Sequence, residues 1–353
     1  MTSPEVVQLI EDSKKEILRL SEDSFPTLSG VKEISLVVTA VSHVVLVSAK
    51  EGGLVYKLRR RVKIGDLCDF RVLEDRRLDC INELEKNQAL APSIYLDVVP
   101  VVLTDHTLVF GEEGKIVDWA VRMRRFREED KMENRLKVGR VNEKHIIALA
   151  EKIAQFHQKL PIPKKAEEYG SVGNIKRIWD ENFEQARSLV GTGAIAEETI
   201  LTTEERITKF WEGNGSLFAK RVKEGKALNC HGDFHTGNVV IEEIGEKRGE
   251  VEPFDALEFN EAYSVHDVAS EVAFMAMDLE FLGFAEFAEL FVEKYVELTR
   301  DKEMVETGLL DFYKAHRAWA RGKIEAWQGN IGKAEQYFKL AELCSQLLLQ
   351  DLK

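Results

Sequence analysis

No stretch of the 353 residues is apolar for long enough to span a bilayer. The opening MTSPEVVQLIEDSKKEILRL carries acids and lacks the apolar core of a secretory signal. Cysteine is sparse. Cys68, Cys80, Cys230 and Cys344 include no CxxC pair and fit neither a disulfide framework nor a zinc ribbon, so the cytoplasm is the expected compartment. Proline occurs seven times, and there is no GxxxxGK[ST] phosphate loop, internal repeat or low-complexity tract. Positive charge is in deficit too. Against 62 Asp and Glu stand 49 Lys and Arg, and the net charge of −13 disfavours a general nucleic-acid binder.

What remains is an ordinary globular composition, 44% hydrophobic and 31% charged, with material for two domains or one two-lobed one. Ser3 and Pro4 suit the N-cap and first position of an amphipathic helix. EISLVVTAVSHVVLV (33–47) reads as a hairpin broken at TAVSH, and LVYKLRRRV (54–62) as a third strand. VLEDRRLDCINELEKNQALAP (72–92) is a helix stopped by Pro92. SIYLDVVPVVLT (93–104) and KIVDWAVRMRRF (115–126) are two further strands joined around GEEGK. Beyond residue 140 the pattern turns helical, at 141–160, near 174–190 and 202–213, and from 264 onward, with a small hairpin in 229–259. The expectation is an α+β protein divided into a strand-rich lobe, 1–126, and a larger, mainly helical lobe, 127–353.

Residues 229–238, NCHGDFHTGN, carry the densest chemistry. His231 and His235 have the spacing of a zinc pair on a helix, but Gly232 and Gly237 argue for a loop. A loop offering an aspartate, then an asparagine five residues later, suits phosphoryl transfer. There the acid orients and deprotonates a hydroxyl, and the amide oxygen holds a divalent ion. A second metal carboxylate is then expected downstream, and FDALEF (254–259) supplies Asp255.

HGDFHTGN resembles the catalytic loop of the aminoglycoside phosphotransferase and choline kinase superfamily, HGDxHxxN, whose members are relatives of protein kinases. FDALEF is similar to its second metal motif, and SVHDVASEVAFMAMDLE to the helix that follows. VYKLRRRV, INELEKNQALAPSIYLDVVPV, WAVRMRRF, FDALEFN and AHRAWARGKIEA resemble a "predicted kinase" branch often fused to a P-loop ATPase. The resemblance covers roughly residues 35–330. It implies a protein-kinase-like two-lobed fold, with an antiparallel sheet and one helix before the helical lobe. ATP and Mg2+ are the implied cofactors.

By the same resemblance, Lys57 grips the nucleotide phosphates and Glu83, rather than Glu85, orients it. Asp233 is the base, Asn238 and Asp255 are the Mg2+ ligands, and His235 has a structural or acceptor-positioning part in the catalytic loop. His231 holds the loop backbone. Asp267 braces the loop, or forms a capping box with Ser264. Met123 and Arg124 fall among the nucleotide contacts. The first hairpin turn has no glycine, so backbone amides or the Ser42 hydroxyl would stand in for a Gly-rich loop. With no P-loop in the chain, a separate ATPase partner is an expectation.

The acceptor is a small hydroxylated molecule on this reading. Glu258 and Asn260 follow the metal motif, and Arg317 and Arg321 share a helix face that would favour an anionic acceptor. A solvated helix with i,i+4 charge pairs accounts for the arginines equally well. Three other readings stand beside the kinase: a nucleotide-binding regulator of the same fold, an RNA-associated protein using the basic clusters 57–63 and 122–127, and a zinc hydrolase using His231 and His235.

Overall fold

The computed structural model describes residues 20–50, 52–65, 68–104, 107–242 and 249–348. The helix expected from Ser3 and Pro4 lies outside them. The chain forms two compact units, Met1–Asp130 with Glu252–Asn260, and Lys131–Val251 with Glu261–Lys353. A division at 126/127 assigns Asp255 to the helical lobe. In the structure its segment packs with the sheet, because the sheet and its helix supply partners for the segment's polar groups.

The first unit is built on strands β1 (Val31–Val38), β2 (Ser42–Ala49), β3 (Gly53–Arg59), β6 (Tyr95–Thr104), β7 (Thr107–Phe110) and β8 (Ile116–Arg124), after two-residue strands β4 (Lys63–Ile64) and β5 (Cys68–Asp69) are set aside. The sheet order is β1-β2-β3-β8-β6-β7, and every pairing is antiparallel. The sequence reading lacked β7, which takes up residues just ahead of the GEEGK turn.

Strand alternation decides the site. On β3 it sends Tyr56 and Leu58 to the apolar face, with Val45, Val47, Val99, Val101 and Phe110. Phe25, Tyr56 and Phe110 close that core, their ring centroids 4.6–5.3 Å apart. Lys57 and Arg59 therefore point the other way, toward helix α1 (Leu73–Gln88). The buried face of α1 is polar rather than apolar: Arg76, Asp79, Glu83 and Asn87 recur at helical spacing, with Cys80 among them. Arg76 is satisfied by Asp118 at 2.8 Å and the Phe70 carbonyl at 2.9 Å.

The second unit holds helices α2 (Glu143–Lys159), α3 (Val172–Arg187), α4 (Glu197–Lys223), α5 (Val268–Phe281), α6 (Ala285–Thr299), α7 (Leu309–Trp327) and α8 (Ile331–Leu347). Helix α4 is longer than 202–213 because the GNG stretch interrupts it only locally, at Asn214 (φ −124°, ψ 16°). Three-residue strands β9 (Ala227–Asn229) and β12 (Val265–Asp267) pair antiparallel on either side of the NCHGDFHTGN loop in sequence. Strands β10 (Val239–Ile241) and β11 (Val251–Pro253) follow the loop. Helix α5 is buried continuously from Val268 to Leu279, as an almost wholly apolar helix must be. Among the described residues, no helix is long and apolar enough to cross a membrane.

Candidate active site

In the first unit Lys57 Nζ lies 2.8 Å from Glu83 Oε1 and 2.7 Å from Asp255 Oδ1. Lys57 belongs to β3, Glu83 to α1, and Asp255 to the 252–260 segment. Burial opposes charge on Lys57, but Asp255 and Glu83 outweigh it and hold the ammonium well above its ordinary pKa. The Asp255 side chain is 49% exposed, so a carboxylate oxygen faces solvent. Its backbone is left-handed, φ +62°, a conformation a non-glycine residue keeps only where its surroundings impose it. They do so here. The Asp255 N–H donates to the Tyr95 hydroxyl at 3.1 Å, and Ala256 N–H to Asn87 Oδ1 at 2.8 Å.

Sequence reasoning missed Arg59, the other cation of this network. Its guanidinium donates to Ser42 Oγ and Glu83 Oε2, both at 2.7 Å, and to the carboxylates of Asp79 and Glu258. Two site assignments change as a result. Ser42 is buried with its hydroxyl committed to Arg59, so it is part of the charge network and not a phosphate ligand. Glu258 is paired with Arg59 and is not an acceptor group; burial, only partly offset by Arg59, raises its carboxyl to about 8. Asn260 ends the same segment.

The glycine-free turn is held by Arg60, whose Nη1 donates to the carbonyls of Thr39 and Ala40 at 2.9 and 2.8 Å. Met123 is buried in β8, paired with Val55 and Tyr95. Arg124 donates to the Ser93 carbonyl and hydroxyl, both at 3.0 Å, which draws it away from a nucleotide role. Arg122 pairs with Asp97, Arg125 with Ser48, and Arg127 with Asp130. Arg61, Lys63 and Arg127 of the two basic clusters stay exposed.

In the second unit the NCHGDFHTGN loop hangs from α5. Glu271 accepts the N–H of His231 at 2.6 Å and of Gly232 at 2.9 Å, one on each oxygen. Asp278 accepts the Thr236 N–H at 2.9 Å and hydroxyl at 2.6 Å. Seven residues, two turns, separate these acids and place them on one helix face. Gly232 has φ +89°, which suits glycine alone. A Cβ on Gly237 would meet His235 Cε1 at 2.8 Å.

Within the loop, Asn238 Nδ2 donates to the Asp233 carbonyl at 3.0 Å and carboxylate at 2.9 Å. That orientation turns the amide oxygen away from Asp233. His231 Nδ1 accepts the Asp233 N–H at 3.3 Å, so His231 holds the loop backbone. His235 Nδ1 accepts from Gly237 N–H at 3.1 Å, and its Nε2 lies 3.6 Å from Asp233 Oδ2. Burial disfavours protonation of His235, but the Asp233 carboxylate wins and raises its pKa. Asp233, its side chain 39% exposed, moves the other way: burial opposes its charge, yet His235, His231 and Arg321 together hold it below the usual carboxylate range. Both histidines accept backbone N–H groups of the loop through Nδ1.

Asp267 does not brace the loop, nor does it form a capping box with Ser264. It is itself the N-cap of α5, accepting from Ala269 N–H at 2.8 Å, and it pairs with Arg221 at 2.6 and 2.7 Å. The bracing acid is Glu271. Arg317 is also part of the support: its Nη1 donates to the Gly232 carbonyl at 3.3 Å, its Nε to Ser270 Oγ at 3.2 Å, and its charge sits 4.8 Å from the Phe274 ring centre. It is therefore not free to receive an acceptor. Arg321 lies 5.8 Å from the Tyr337 ring centre and 3.7 Å from Glu325.

An α+β chain with this antiparallel sheet, its single helix and this helical unit has the protein-kinase-like fold of the small-molecule phosphotransferases. It is similar to the microcompartment-associated aminopropanol kinase at a TM-score of 0.54 and 13% identity, over 97% of this chain and 98% of that one. It is similar to a thermostable mutant of aminoglycoside phosphotransferase APH(4)-Ia at a TM-score of 0.51 and 11% identity, over 90% and 94%. No family model matches the chain. It is 32% identical over 284 residues to uncharacterized protein Rv2004c of Mycobacterium tuberculosis and uncharacterized protein Mb2027c of Mycobacterium bovis, covering 80% of this chain and 54% of each relative. The chain thus spans about half the length of the curated relatives it matches.

Proposed function

We propose that the chain is an ATP-dependent phosphotransferase that moves the γ-phosphate to a hydroxyl of a small molecule. The observation that carries this is Lys57, held between Glu83 at 2.8 Å and Asp255 at 2.7 Å. Those three residues come from a strand, a helix and a segment 198 positions from the lysine, and the resemblance of their motifs to the phosphotransferase superfamily implies that this set receives a nucleotide.

The donors suit Mg2+. In the first unit Asp255 offers a half-exposed carboxylate oxygen, and in the second Asn238 offers an amide oxygen; each by itself is the kind of hard oxygen ligand that Mg2+ takes. When bound, Mg2+ would neutralise charge on the β/γ-phosphates. Lys57 then grips phosphate oxygens, with Glu83 keeping its direction. Asp233 orients the acceptor hydroxyl and takes its proton. Its depressed pKa makes it a weak base, which is tolerable where the transition state is loose and the proton leaves late. Asn238 fixes the Asp233 carboxylate, and His235 balances its charge. Arg321 remains as an acceptor contact.

The test is a screen of hydroxylated metabolites with labelled ATP and Mg2+, using Asp233→Asn as control. A labelled product that needs Asp233 supports the reading. A regulator that binds nucleotide without transfer is the second reading, favoured by the withdrawn Ser42 hydroxyl and the glycine-free turn. It predicts bound ATP and no labelled product from any hydroxylated acceptor.

A further inference from the structure

The proposed chemistry leaves Arg59 without a task, yet its side chain is only 1% exposed. Taking a guanidinium out of water is costly unless its donors are matched. Here they are matched by a fork of contacts to Ser42, Glu83, Asp79 and Glu258. Two of those acids lie on α1, beside Arg59. The third, Glu258, lies on the 252–260 segment, three residues beyond Asp255.

Lys57 makes the other ionic link from β3 to that segment, through Asp255. Under the proposed function that link is temporary. Asp255 would have to release Lys57 to hold a divalent cation, and the Lys57 ammonium would then be available to phosphate oxygens. Once Lys57 changes partners, the hydrogen bond from the Arg59 guanidinium to Glu258 is the side-chain link from β3 that persists. Asp255 meanwhile must keep its left-handed backbone, which relaxes if its neighbours loosen.

We infer that Arg59 is a positioning residue: through Glu258 it holds the Asp255 segment in its ligand-ready conformation while Lys57 exchanges Asp255 for the nucleotide. The role in metal binding rests on the reading of Asp255 given above. The tie itself does not.

Two measurements on the full chain separate these. Hydrogen exchange without nucleotide reports the amides of Asp255 and Ala256, whose acceptors are Tyr95 and Asn87. In Arg59→Met these amides are expected to exchange about tenfold faster or more, while amides of β2 and β8 keep their protection. Glu258→Gln serves if Arg59→Met does not fold. Unchanged protection at both positions in a folded variant overturns the proposal, whatever the protein does with nucleotides.

The second measurement titrates Mg2+ against binding of a fluorescent ATP analogue. Arg59→Met is expected to raise the Mg2+ midpoint about tenfold, with Mg2+-free affinity little changed. Arg59→Lys should behave like Arg59→Met, because it keeps the charge but not the fork. Equal loss of affinity with and without Mg2+ would make Arg59 structural and overturn the inference. If wild type gains no affinity from Mg2+, the metal reading of Asp255 fails and the positioning role falls with it, while the exchange data still decide whether the tie exists.

Discussion

Glu271 accepts the backbone N–H of His231 at 2.6 Å, and its second oxygen takes the N–H of Gly232. The carboxylate is fully buried beneath the loop, and burial alone would neutralise it. The hydrogen bond to His157 and the nearby His266 and His231 reverse that and keep it ionised. Glu271→Gln puts an NH2 group against one of the two N–H donors, leaving that donor unsatisfied. Hydrogen bonds to charged groups are worth about 1.5–3 kcal/mol, so the variant should lose about that much stability. Urea denaturation reads the loss. A midpoint equal to wild type would mean that the loop does not depend on this helix.

Asp233→Asn tests the loop's chemistry separately from its shape. The amide is the same size, and an oxygen at position 233 can still accept from Asn238 Nδ2, so the fold and ATP binding should persist. Losing one preorganised charged group costs about 3–4 kcal/mol in related catalytic settings, which is about 10²–10³-fold in rate. Transfer should therefore fall about 10²–10³-fold while ATP affinity measured by calorimetry is retained. Turnover at the wild-type rate would remove Asp233 from its role.

The imidazole of His266, its side chain 17% exposed, contributes to the response to acid. Its Nδ1 lies 3.1 Å from the Asp267 carbonyl and its Nε2 3.1 Å from Arg317 Nη2, so the neutral tautomer satisfies both contacts. Burial, then the Arg317 charge, lowers its pKa from 6.5 to about 3. Below pH 6.5 the unfolded chain binds a proton that the folded protein refuses. Stability should fall by up to about 1.4 kcal/mol per pH unit from this group as the pH drops toward 3. His316 is shifted in the same direction, chiefly by burial. His235 acts oppositely. Its raised pKa contributes stability below its unfolded value, and that contribution disappears as pH rises through the folded value. His266→Gln can donate to one partner and accept from the other without titrating. Its urea midpoint should decline less steeply than wild type between pH 6 and pH 4, and an unchanged slope would refute the assignment.

Asp233, Asn238 and Asp255 could be picked from sequence because a glycine-punctuated loop and the short hairpin after it set them apart, whereas Lys57 and Glu83 came only through the resemblance of VYKLRRRV and INELEKNQALAP to a kinase branch. The sheet and the long helices were readable because the composition of their runs announces a strand or a helix. The strand Thr107–Phe110 was not, being too short to show a period. Arg59 passed as one of several arginines in a basic strand, since its partners Asp79 and Glu258 lie 20 and 199 positions away. Glu271 and Asp278 left a fainter trace. A helix as apolar as VASEVAFMAMDLEF has no solvent face, so an acid inside it must be meeting donors. Which donors is a tertiary fact, as is the choice between Asp267 and Glu271 for holding the loop.

Arg221 joins the capping acid of α5 to the end of α6. Its side chain is 1% exposed and contacts Asp267 at 2.6 and 2.7 Å and Asp301 at 2.9 and 3.0 Å. Arg221→Met leaves two enclosed carboxylates facing each other, with Lys226 at 3.2 Å from Asp301 as partial compensation. Breaking a buried ion pair from one side costs about 3–5 kcal/mol, because the penalty is the stranded charge rather than the lost attraction. The triple change Arg221→Met, Asp267→Asn, Asp301→Asn removes the stranded charges and keeps an oxygen to cap Ala269. It should recover more than half of the stability lost in the single variant. If the triple variant is as unstable as Arg221→Met alone, packing of the arginine stem rather than charge balance is what this junction supplies.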